Sequence, residues 1–181
     1  FTKVDDKYGS IQHLYAENTN LIVFSENKVH NVPFEKDILF DADGQGTLRE
    51  STNVLGTPRA YAGEYGISLN PESFARYGNV KYFTDLRRGV LLRLSLDGIT
   101  EISEYGMDDF FEDFFRDNPN AKFKACFDLN DKEYVISMNG GDTLAFKESV
   151  KGFPSRYSFF PDWMGSVNNR SYSLMSARAA L

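Results

Sequence analysis

The most constraining feature of this sequence is a succession of strand-length runs, each cut off within a few residues by a turn signal. Residues 21–25 (Leu-Ile-Val-Phe-Ser) run into a turn at 26–28 and return through 29–34. In the return run Val29, Asn31 and Pro33 share one face, and His30, Val32 and Phe34 the other. This predicts a hairpin in which Pro33 marks an edge or a strand end. Residues 41–46 read as a loop, because two glycines and two aspartates oppose a regular element. A meander is predicted next: 80–85, a turn at 86–89, 90–95, the tight pair Asp97-Gly98, then 99–103. A third unit has strands at 123–127, 133–138 and 143–146, with turns at 128–131 and 139–142. A last unit has 156–160, a break at Pro161-Asp162, and strand-like residues around 172–174.

One segment departs from this pattern. Met107, Phe110, Phe111, Phe114 and Phe115 fall at i, i+3, i+4, i+7 and i+8, which predicts an amphipathic helix with these five in the core. Asp108 and Asp109 suit its first turn, and Asn118-Pro119 ends it. Residues 71–75, after Asn70, read as a short second helix or the lead into a strand.

The strand units begin near 21, 80, 122 and 156. The later spacings approach the roughly 40–50 residues of one four-stranded propeller blade. The residues around 41–70 read as an inserted loop. The expected fold is mainly β: a β-propeller or part of one, in meander blades, with a β-sandwich as the alternative. The length fits a single β-rich domain over 1–181. Three to four blades are fewer than a closed ring usually takes. The chain also starts at Phe1 and enters a strand pattern almost at once. It therefore reads as a fragment or processed part of a larger propeller-containing subunit.

Charge and composition narrow the function classes. With 20 basic against 26 acidic residues the net charge is −6, and the basic residues are scattered, which argues against a general or sequence-specific nucleic-acid binder. The single cysteine, Cys126, excludes an intrachain disulfide and reads as a buried, inert thiol. No run is apolar enough for a membrane-spanning segment. His13 and His30 lie on separate strand-like segments and read as ordinary surface or half-buried histidines, not metal ligands. Residues 41–46 imitate the start of a calcium loop, but Gln45 and Thr52 stand where ligands are needed. Asp108, Asp109, Glu112 and Asp113 alternate with phenylalanines and read as a solvated helix face rather than a glycosidase pair. Arg88-Gly89 reads as part of its turn, and Arg93 as pairing with a neighbouring strand's carboxylate. Asn169-Arg170-Ser171 matches a glycosylation triplet, a pattern frequent by chance. No catalytic residue, cofactor or metal is expected.

The residues 51–58 (Ser-Thr-Asn-Val-Leu-Gly-Thr-Pro), 61–68 (Tyr-Ala-Gly-Glu-Tyr-Gly-Ile-Ser) and 70–74 (Asn-Pro-Glu-Ser-Phe) begin a distinctive run. It continues through 82–85, 88–95, Asp97-Gly98, Ile102-Ser103, 105–107 and Phe110-Phe111. This combination resembles the tail nozzle proteins, also called muzzle or stabilisation proteins, of crAss-like and related short-tailed bacteriophages. The aromatic ending at 152–162 resembles that family more loosely. The resemblance implies a viral structural protein located in the virion, at the distal end of the phage tail. It implies β-propeller-containing subunits that form a homo-oligomeric ring with other phage tail proteins, around the channel used in DNA ejection. It carries no catalytic residues. The positions it marks as structural are Gly56, Pro58, Gly63, Gly66, Asn70, Pro71, Asp85, Gly89, Arg93, Asp97 and Gly98.

Physical reasoning on the same run gives three expectations. The glycines sit at sharp turns, and Tyr61, Tyr65, Phe74 and Tyr77 supply rigid contact area between blades or subunits. Asp85 accepts hydrogen bonds from amides of the Arg-Arg-Gly turn that follows. Arg88 or Arg93 pairs with Asp97 or Glu101 across the meander. Two other activities remain as alternatives: a carbohydrate- or receptor-binding propeller module using Trp163 and exposed tyrosines, and a hydrolase using the acidic cluster.

Overall fold

A computed structural model of the chain describes residues 3–40, 46–138, 142–168 and 170–175, and the main chain alone for 35–40 and 46–54. The described residues are mainly β, with antiparallel meanders in chain order and one α-helix. They divide into two compact units, Phe1–Gly66 and Ile67–Leu181.

In the first unit a 3-10 turn at Asp6–Tyr8 precedes the meander β1 (Ile11–Glu17), β2 (Asn20–Ser25), β3 (Val29–Phe40) and β4 (Gly46–Leu55). A short β5 (Arg59–Ala60) pairs with β3 at Asn31 and His30. The first hairpin closes over Asn18-Thr19, with Asn18 at φ 49°, the left-handed region that Asn tolerates better than most residues. The apolar run predicted at 21–25 lies within β2, which buries Ile22, Val23 and Phe24.

Pro33 is neither at a strand end nor on an outer edge. β3 continues past it to Phe40. Its missing N–H falls in the gap where β3 changes partners, after β5 has paired at Asn31 and before β4 pairs at Phe34. Its carbonyl accepts Gly56 N at 2.8 Å. The inserted loop expected over 41–70 in fact contains β4. That strand reads Gly-Thr-Leu-Arg-Glu-Ser-Thr-Asn-Val-Leu, too polar to show an apolar alternation. The loop expected at 41–46, with its calcium-like spacing, lies outside the described residues except for Gly46.

In the second unit a 3-10 turn at Pro71–Ser73 leads into β6 (Ala75–Tyr77), so the two readings of 71–75 are both realised in sequence. β6 continues the meander through β7 (Val80–Asp85), β8 (Val90–Ser95) and β9 (Gly98–Glu101). The β8–β9 loop is Leu96-Asp97, with Gly98 already paired to Ser95, so the tight turn sits one residue earlier than expected. Then come α1 (Asp108–Asp117) and a second meander: β10 (Phe123–Asp128), β11 (Glu133–Met138), β12 (Thr143–Lys147) and β13 (Gly152–Tyr157). The strand expected near 156 does not open a new unit; it is the end of β13, the fourth strand of this sheet. The next sheet, the hairpin β14 (Trp163–Val167) and β15 (Arg170–Leu174), starts later.

One core serves both meanders of this unit and the helix. Tyr82 and Leu91 from the first sheet meet Phe127, Tyr134, Ile136, Leu144 and Phe146 from the second. Phe111 and Phe115 of α1 are buried in it, while Met107, Phe110 and Phe114 are half-buried against it. Stacked rings bridge the sheets: Tyr82 on Tyr134 with centroids 4.9 Å apart, and Tyr77 on Phe127 at 4.5 Å. The other face of β10–β13 presents Cys126, Val135 and Ala145, and Met164 of the hairpin packs there. Period-two alternation thus gives this sheet two apolar faces, each covered by a different element.

Candidate functional site

The residues singled out by the sequence fall on both sides of the boundary at 66/67. In the first unit they gather around the β2–β3 turn. Gly66 lies so close to this turn that a Cβ there would stand 2.6 Å from Asn27 N and closer still to Glu26 O. Only a residue without a side chain fits. Gly63, at φ 83°, has the Tyr65 ring where a Cβ would sit. Its carbonyl accepts Lys28 Nζ at 2.6 Å, and Glu64 Oε1 takes the same ammonium at 2.9 Å. Lys28 is buried, so these contacts replace its lost hydration. Gly56 is buried and holds Pro33, while Pro58 is half-buried in the stretch between β4 and β5.

In the second unit the centre is Asp85, at 0% exposure at the end of β7. It accepts Arg87 N at 3.1 Å and Arg88 N at 3.3 Å, so the turn amides bond to it as its position predicts. Ser68 Oγ donates at 2.8 Å and Arg88 Nη1 at 3.0 Å. Gly89 completes the turn at φ 71°, with Phe115 Cβ 3.3 Å from where its own Cβ would be. The turn is thereby fitted against α1. Asn70 is buried, and its carbonyl accepts Ser73 N and Ser73 Oγ, while its side-chain amide has no partner. Pro71 opens the 3-10 turn. Gly98 has φ 108°, and Asp97 N donates to Ser95 Oγ at 3.3 Å.

The ion pairs correct one expectation. Arg88 closes on Asp85, three residues back, and Arg93 pairs with Glu148 in the β12–β13 turn. The expectation had put their partners at Asp97 or Glu101. Tyr82 also donates to Glu148, at 2.8 Å, so one carboxylate ties the first meander to the second. Burial, reinforced by this carboxylate, pushes the Tyr82 phenol far above its usual range. Nothing local in the sequence marks Glu148, because its partners lie 55 and 66 residues away.

The remaining candidates are placed as follows. Asp108, Asp109, Glu112 and Asp113 are all exposed on α1, a solvated face as expected. Cys126 is buried, and burial pushes its thiol up to about 11. His13 is half-buried and His30 buried, and burial lowers the pKa of both. Among the described residues no group of three His, Cys, Asp or Glu gathers as a metal site, and no helix is long and apolar enough to cross a membrane. Asn169 lies outside the described residues, and Ser171 of that triplet donates to Phe127 O at 3.1 Å. Trp163 is 43% exposed, with its indole over Gly165, where a Cβ would stand 2.5 Å from Trp163 Cζ2. Tyr172, opposite Gly165, is also exposed. No protein-family model matches this sequence, and no curated protein matches it.

Proposed function

We propose that this chain is a virion structural protein of a short-tailed bacteriophage, part of the tail nozzle, acting by assembly with other tail proteins around the DNA exit channel. The reading rests on the resemblance of the run 51–111 to nozzle proteins. One structural observation supports it: meander follows meander in the second unit, joined face to face by an aromatic layer, the way successive propeller blades pack. Asp85 and Ser68 of the run are buried and bonded inside this scaffold. On this reading the sheets are blades of a propeller that belongs to a larger ring of subunits. Negative-stain images of the parent virion, labelled with an antibody to this chain, test it. Label at the tail tip is the expected result; label on the capsid overturns the reading.

A second reading, a carbohydrate- or receptor-binding module, is favoured by one observation. The Trp163 indole occupies the space beside Gly165, whose strand partner Tyr172 is also exposed, and exposed aromatic rings suit the apolar face of a sugar ring. A glycan array discriminates the two: specific signal lost in Trp163→Ala supports binding, and silence across host surface glycans rejects it.

A further inference from the structure

We propose that His30 makes the first unit acid-sensitive: proton uptake by this buried imidazole in mildly acidic solution loosens residues 1–66 while residues 67–181 keep their packing. His30 sits on β3 between Val23 of β2 and Ala60 of β5, and is 4% exposed. The Tyr8 ring covers it, with centroids 5.0 Å apart. Its Nδ1 is buried with no hydrogen-bond partner. The neutral ring tolerates this, since an acceptor nitrogen can stay unpaired at modest cost. The protonated ring has two donors and a charge, and an unpaired buried charge is expensive.

The charged groups around His30 come from two elements. Lys28, on the β2–β3 turn, is a buried ammonium whose charge opposes a second cation nearby. From the N-terminal 3-10 turn, Lys7 opposes protonation and Asp5 favours it. Asp5 is already engaged, accepting Lys7 N at 3.1 Å and pairing with Lys7 Nζ at 3.2 Å. Both lysines are themselves paired, Lys28 with exposed Glu64 and Lys7 with Asp5, so burial is the main force holding the ring neutral. The same turn region anchors the unit. Asn27 N donates to Tyr8 O at 3.0 Å, Glu26 N donates to Ser10 O at 3.1 Å, and Ser10 N and Oγ both donate to Glu26 Oε1. A charge forced in beneath Tyr8 pushes on that junction.

The sign follows from linkage. The folded unit holds its histidine pKa below the unfolded value of 6.5, so the contribution to stability is complete above that value. It is lost as pH falls through the folded pKa. Burial acts on His13 in the same direction. These are the chain's 2 histidines, and residues 67–181 contain none. Ordinary carboxylates titrate lower, and Glu104 of the second unit, raised by its neighbour Glu101, is fully exposed, so its protonation places no charge or donor in a packed core.

Hydrogen exchange read by mass spectrometry on the intact chain, at about pH 7.5 and about pH 5.5, tests the proposal. After correction for intrinsic rates, amides of β2 and β3 are expected to lose about tenfold in protection, and those of β10–β12 to stay unchanged. His30→Phe keeps a ring under Tyr8 and removes the proton site, so most of the loss should vanish. Should that variant fold poorly, the His30 ring resonance in the natural sequence decides: a midpoint below 6.5 is expected. A midpoint at or above that value, equal losses in both units, or an undiminished loss in folded His30→Phe overturns the proposal.

Discussion

At the scale of single residues, Asp85 is the position on which most is balanced. Two backbone amides, a serine hydroxyl and a guanidinium converge on a carboxylate with no exposure. Breaking a fully buried ion pair costs about 3–5 kcal/mol, and the partial exposure of Arg88 reduces this. Asp85→Asn is therefore expected to cost about 2–3 kcal/mol, read as a lower midpoint in urea denaturation. Asp109→Asn, on the exposed face of α1, should stay within about 0.5 kcal/mol. Equal effects at the two sites would contradict the assigned roles. Cys126 gives a second residue-level expectation. With its thiol held near 11, almost none is thiolate at about pH 8, so native labelling by a disulfide reagent should be far slower than in denaturant.

At the scale of elements, α1 shows why some of the fold was legible. Five apolar residues at helical spacing predicted its core face, and Phe111 and Phe115 of these are buried, Phe111 completely. Phe111→Ala is expected to cost about 3–5 kcal/mol, and half-buried Phe110→Ala distinctly less, in the same urea measurement. Near-equal costs would mean that the helix presents a different face to the core. β7, β8, β10, β11 and β12 were legible for a similar reason: apolar runs bounded by turn residues. β4 was not, because its polar residues carry no alternation, and its pairing with β3 is specified by a partner rather than by its own pattern. The end of β13 was visible as a strand, but its place as the fourth strand of an existing sheet depends on pairing with β12. The Glu148 tie between meanders was invisible for the same reason, since it joins residues remote in sequence. Gly66 was marked as a sharp-turn glycine. Its stricter constraint is the backbone of the β2–β3 turn against it. Gly66→Ala is thus expected to lower the stability of the first unit, seen as faster amide exchange in β2 and β3, because neither side of that contact is a flexible side chain.

At the scale of the whole molecule, the second unit is a series of covered sheets that ends on an incompletely covered one. Met164 of the β14–β15 hairpin packs on the outer face of β10–β13, while Trp163, Val167, Tyr172 and Leu174 are exposed. Four strand units were expected from the repeated turn signals; three meanders and a hairpin are present, because the run expected to open the fourth unit is the last strand of the third meander. Closure into a propeller is a proposal, as is the tail nozzle. The distribution of two residue types has a practical consequence. Both histidines belong to the first unit, and the only tryptophan belongs to the second. The chain therefore carries a proton-sensing reporter and an optical reporter in separate halves. One acid titration, followed by tryptophan fluorescence and histidine resonances in the same sample, reads each half without a label or a truncation.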